Sequence, residues 1–153
     1  MTDQTVSLAG FTVQNQVFAL ADRSAQIFEN LPNDGIMGFA FSSIASSGSA
    51  NFIENLVESN QLPSPVFSFY LQRARDLTAQ RSGTIGGGEL LLGGIDSSKY
   101  TGELSYFPVE NEGYWQIAMD GIVVNGQPVS GLSSIQAAID TGTTCVSRST
   151  SCH

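Results

Sequence analysis

An all-β fold, mainly strands with one short helix, is the class this sequence predicts, and three observations lead there. Apolar and polar residues alternate along several runs, glycine-rich turns punctuate those runs, and a single window switches to helical period. Only 13% of the 153 residues are charged, against about 25% in an average domain. That balance suits strands joined by many turns.

The elements follow in order. TVSLAGFTVQNQVFALA (5–21) alternates around Ala9-Gly10 and predicts a hairpin with a half-buried face. DGIMGF (34–39) reads as a short apolar strand bracketed by Gly35 and Gly38. From Ser49 to Asn60, Phe52, Ile53, Leu56 and Val57 recur at helical spacing, with Pro63 and Pro65 closing the segment. VFSFYL (66–71) and GELLLGGI (88–95) return to strand character, and RARDLTAQRSGTIGGG between them reads as a polar loop. GELSYFPV (102–109) and YWQIAMDGIVVNGQPV (114–129) read as strands, with Asn125-Gly126 a hairpin turn. SIQAAIDTGTT is the last ordered element expected, and the chain shows no tandem repeat.

Composition excludes several functions. The net charge is −8 and Lys99 is the single lysine, whereas a phosphate-binding face needs clustered Lys and Arg, so no nucleic-acid partner is expected. No apolar run is long enough to span a bilayer, and the opening MTDQTVSLAG has neither the basic start nor the apolar stretch of a signal peptide. Cys145 and Cys152 sit in the tail. Their spacing permits a small disulfide loop without establishing one, and free thiols are the simpler reading. With His153 they make a poor metal site, so neither zinc nor any cofactor is assigned. No Asn-x-Ser/Thr sequon occurs.

AAIDTGTT (137–144) resembles the second catalytic loop of the pepsin-like aspartic endopeptidases, family A1, and DGIMGF resembles the Ile-Leu-Gly strand of their first lobe. ELLLGGIDSSKYTGELSYFPVENEGYWQIAMDGIVVNG is similar to the segment that crosses from the first lobe to the second, and FSFYL to the strand before it, in the family's order. An Asp-Thr-Gly triplet alone is common by chance; in register with the other segments it is specific. The resemblance implies a bilobal double-ψ architecture. Residues 1–100 would then be the later part of the first lobe, 101–144 the start of the second, and 145–153 a divergent tail. It also implies aspartic endopeptidase activity at acid pH, protein or peptide substrates, pepstatin-type inhibitors for the intact parent, and an extracellular or vacuolar location.

In this chemistry two nearby carboxylates share one proton, because like charges so close resist ionising together; one activates water and the other protonates the peptide. Asp140 is the catalytic candidate. Gly142 would let backbone N–H groups approach its carboxylate, and Thr143 could donate a hydroxyl bond to it. The resemblance implies that Thr141 points toward the other lobe, that Ala137, Ala138 and Ile139 form an apolar floor, and that Ile36, Thr143 and Thr144 contact substrate. Each has a plainer alternative. Asp140 could be an Asx-turn residue, Ile36 a core residue, and Trp115 interlobe core rather than a substrate contact. Phe67 and Phe69 share a strand face, and Asn33 departs from the aromatic residue usual at its place.

The order of motifs is broken. IMG (36–38) has no Asp-Thr-Gly or flap Tyr before it, and DTG (140–142) has no Ile-Leu-Gly after it. A chain truncated at both ends, with one catalytic Asp and inactive alone, is the expectation. A non-catalytic peptide- or inhibitor-binding module and a retropepsin-like homodimer are the alternatives. The homodimer would need its own flap after the Asp, and too few residues follow Gly142 to supply one.

Overall fold

The structure, a computed structural model, describes residues 1–23, 25–26, 34–72 and 88–143. The expected mainly-β class with one short helix is what they form. Strands β1 (Thr2–Leu8) and β2 (Phe11–Phe18) pair antiparallel, as do β3 (Phe67–Leu71) with β4 (Gly88–Leu92) and β5 (Gln116–Val124) with β6 (Gln127–Ala138).

Turn chemistry sets two of these hairpins. Leu8 pairs with Phe11 and Val124 with Gln127, leaving two-residue loops at Ala9-Gly10 and Asn125-Gly126. All four loop residues have positive φ, the conformation whose twist matches the flanking strands. Asn125 and Gly126 adopt it readily, whereas Ala9 does so against the clash of its Cβ. Register slips once between Gln4 and Val6, beside the left-handed Asn15, and again between Gly121 and Val123. The strand expected to end near Val129 instead continues unbroken through SIQAA to Ala138.

The helix α1 (Phe52–Glu58) is as expected and begins with a capping box. Asn51 Oδ1 accepts the Glu54 N–H at 2.9 Å, and Glu54 Oε2 accepts the Asn51 N–H at 3.0 Å. The other Glu54 oxygen takes the Ser42 N–H at 2.9 Å, and Asn51 Nδ2 donates to Ala40 O, so this cap also anchors the preceding loop. The helix ends through Ser59 and left-handed Asn60, before either proline is reached.

Two expected strands are corrected. Neither 34–39 nor 102–109 forms one. Alternation shows which side chains could share a face, but a strand exists only where a second backbone runs alongside to complete its hydrogen bonds. Tyr106 is 80% exposed and Leu104 and Phe107 are also exposed. The loop expected over 73–88 lies outside the described residues apart from Gly88.

The core gathers Val13 of β2, Phe52, Ile53 and Leu56 of α1, and Leu92 of β4, flanked by Val6, Leu8, Phe11, Leu62 and Leu90. Val57, expected on the same helix face, is exposed. Gln16 is buried among these residues because its amide is satisfied. It donates to Ala50 O and Val17 O at 3.1 Å each and accepts from Asn55 Nδ2 at 2.8 Å, tying β2 to α1.

A second, aromatic cluster adjoins the first. Phe67 and Phe69 do lie on one strand face; their ring centroids are 6.0 Å apart, and both rings contact Phe39. Trp115 closes the cluster, 4.6 Å from the Phe41 ring and 5.4 Å from Phe67. Gly113, just before it, is buried against Ile44, where a Cβ would come within 3.2 Å of Cγ2. The absent side chain lets Gly113 O receive the Phe41 N–H at 3.1 Å.

Candidate active site

The β5–β6 ladder carries the candidate carboxylate to its place. Its last pair is Gln116 with Ala138, so the end of β6 lies beside the start of β5. One further hydrogen bond, Ile139 N–H to Trp115 O at 2.9 Å, holds the chain there before it turns at Asp140.

The turn satisfies the carboxylate from its own downstream residues. Gly142 N–H donates to Asp140 Oδ1 at 2.8 Å, and the Thr143 hydroxyl donates to Oδ2. Thr143 N–H also reaches Asp140 O at 3.4 Å. These donors hold the Asp140 carboxyl below the usual carboxylate range, the Thr143 hydroxyl most and the Gly142 amide next, against a small opposing effect of desolvation. Asp140 is exposed. Its second lone pairs therefore remain open to water or to another carboxylate.

Gly142 acts by clearance. Its φ is not in the left-handed region, but a Cβ there would come within 3.2 Å of Asp140 Oδ1. The expected approach of backbone N–H groups is thus realised through Gly142's own amide, with no side chain to press on the oxygen it serves.

The expected floor is open: Ala137 is half-buried, Ala138 is exposed, and Ile139 is 58% exposed. Thr141 is exposed beside the carboxylate. Ile36 is 81% exposed. Asn33 and Thr144 lie outside the described residues, as do Cys145, Cys152 and His153. Among the described residues no three His, Cys, Asp or Glu side chains gather as metal ligands, and no helix is long and apolar enough to cross a membrane.

Asp140, Gly142 and Thr143 are brought together by one turn, and Trp115 bonds both the residue before that turn and Phe39 near Ile36. The Trp115 indole N–H donates to Phe39 O at 2.8 Å, three residues beyond Ile36, while its carbonyl receives Ile139. Sequence reasoning placed Trp115 in a core and missed this bridge. A half-buried indole N–H needs an acceptor, and that need was the available signal.

Comparison with known proteins places the chain as a whole. The family model described as eukaryotic aspartyl protease matches residues 1–152. Pepsin A of Suncus murinus is 40% identical over 144 residues, covering 94% of this chain and 35% of that protein. Pepsin A of Sus scrofa is 39% identical over 148 residues, covering 96% of this chain and 36% of that protein. The major aspartyl peptidase 1 of Cryptococcus neoformans is 39% identical over 150 residues, covering 93% and 30% respectively. The chain thus spans about a third of the length of these relatives.

Proposed function

The chain belongs to the eukaryotic aspartyl protease family, and on that footing we propose that it supplies the second-lobe half of an acid-acting aspartic endopeptidase, with Asp140 as one of the two catalytic carboxylates. The observation that carries the proposal is the turn itself. Asp140 is exposed yet held from one side by the Gly142 N–H and the Thr143 hydroxyl, leaving its outer face for a second carboxylate and a water.

Asp140 is the sole Asp followed by Thr-Gly in these 153 residues. We take the partner carboxylate to come from a segment outside them, in keeping with the share of the relatives' length that the chain spans. The turn favours the ionised form of Asp140. The shared proton is imposed by the partner, since two carboxylates that close hold one proton between them. In that pair one carboxylate takes a proton from water as the water attacks the peptide carbonyl, and the other donates a proton to the leaving nitrogen. Neither step is open to Asp140 alone. Ile36, Thr143 and Thr144 are the proposed substrate contacts. The proposed site of action is extracellular or vacuolar, where acid pH keeps the shared proton in place.

Two assays test this. Purified 1–153 gives no pepstatin-sensitive hydrolysis of acid-denatured haemoglobin. A chimera in which this chain replaces the segment of Sus scrofa pepsin A that it matches hydrolyses it at acid pH, and Asp140→Asn in that chimera abolishes turnover. Pepstatin-sensitive turnover by 1–153 itself would instead support the homodimer. A folded Asp140→Asn chimera with full activity would return Asp140 to the role of a turn residue.

A further inference from the structure

Trp115 makes two hydrogen bonds that point in different directions along the chain. Its side-chain N–H binds Phe39 O at 2.8 Å, and its main-chain carbonyl binds Ile139 N–H at 2.9 Å. The first partner ends the segment that contains Ile36; the second immediately precedes Asp140. The indole cannot drift while these bonds hold, because Phe41 and Phe67 pack against it. Neighbouring bonds reinforce the arrangement: Phe41 N–H to Gly113 O at 3.1 Å, and the Ser43 hydroxyl to Glu112 O. Residues 112–116 therefore lie as a seam between two parts of the chain far apart in sequence.

We infer that Trp115 is a positioning residue that sets the Ile36–Phe39 segment and the Asp140 turn in one frame, so that a substrate side chain resting on Ile36 meets the carboxylate at a fixed offset. This rests on the proposed catalytic role of Asp140, but its physical content, coupling between two segments through one residue, is measurable without turnover. Residues 34–38 are exposed and form no strand, and Phe39 at their end is held by the Phe67 and Phe69 rings as well as by the Trp115 bond. The turn at Asp140 likewise follows the last ladder pair and depends on the Ile139 bond for its direction. A misplacement of the order of 1 Å at such a site costs about a hundredfold in rate.

Trp115 is the only tryptophan in the chain, so it alone is replaced when the protein is made with β-(3-benzothienyl)alanine, which keeps the ring shape and substitutes sulfur for the N–H donor. The test compares this protein and Trp115→Phe with the wild-type 1–153 chain by hydrogen–deuterium exchange. Peptides covering 36–43 and 135–143 are followed, with the α1 peptide as internal reference. One lost hydrogen bond corresponds to about a twofold to tenfold faster exchange. The expected result is that acceleration in both segments with α1 unchanged, in both variants. Acceleration of 36–43 alone, of neither segment, or of all three peptides together overturns the proposal, the last because Trp115 would then be core filler. In the pepsin chimera, where the pepsin segments can carry tryptophans of their own, Trp115→Phe is the variant used and lowers kcat/KM by about the same factor; full activity there overturns the proposal too. An inactive chimera in which wild-type Asp140 fails to support turnover would discredit the catalytic reading while leaving the exchange result to decide the coupling.

Discussion

The Thr143 hydroxyl donates to Asp140 Oδ2 from three residues downstream, while the Gly142 amide between them serves Oδ1. The carboxylate is thereby oriented by the chain that immediately follows it. This local support explains why a turn with little burial can still hold a functional group in one pose.

Thr143→Ala removes the donor that most lowers the Asp140 carboxyl, so its titration moves up toward the ordinary carboxylate value. Carboxyl carbon-13 NMR across the acid range reads the shift. A folded carboxyl held below its unfolded value adds stability above that unfolded value and loses it as pH falls through the folded one; the substitution shrinks this acid-side dependence. An unmoved or lowered titration would show that the hydroxyl does not bond the carboxylate in solution. In the chimera, losing one such bond slows turnover by at most roughly tenfold.

Gly142→Ala places a methyl group 3.2 Å from Asp140 Oδ1. The carboxylate and its Gly142 N–H bond must give way by a few tenths of an ångström. The expected result is a several-fold fall in chimera kcat, about the value of one strained hydrogen bond, with little change in KM. A variant as active as the parent would show that the turn relaxes freely.

Glu54→Ala strips acceptors from the N–H groups of Asn51 and Ser42 at once. Loss of a capping interaction costs about 0.5–2 kcal/mol, and the orphaned Ser42 N–H adds to it. Urea unfolding measures the sum, and a cost no larger than that of Glu58→Ala at the other end of α1 would refute the double anchor.

Leu56 is fully buried, whereas Val57, its neighbour on the same helix, is exposed. Leu56→Ala leaves a cavity worth about 2–5 kcal/mol. Val57→Ala falls within about 0.5 kcal/mol of neutral. Chemical denaturation of the two variants in parallel checks the contrast, and equal effects would mean that α1 packs on a different face.

What the sequence determined by itself was local. Ala9-Gly10 and Asn125-Gly126 specified their turns because a two-residue loop depends only on the φ its own residues can adopt. Phe52, Ile53 and Leu56 announced α1 by their spacing, and AAIDTGTT declared the Asp140 turn because all its donors lie within three residues of the carboxylate. Tertiary structure decided whatever depended on a distant partner. DGIMGF and GELSYFPV alternate like strands, yet neither forms one, since pairing is a property of two segments and alternation a property of one. The exposure of Ile36 and Val57 was settled by which elements came to lie over them. Trp115 likewise could be recognised as a core aromatic, but its place between Phe39 and Ile139 arises only when its indole meets a segment 76 residues away while its carbonyl receives Ile139.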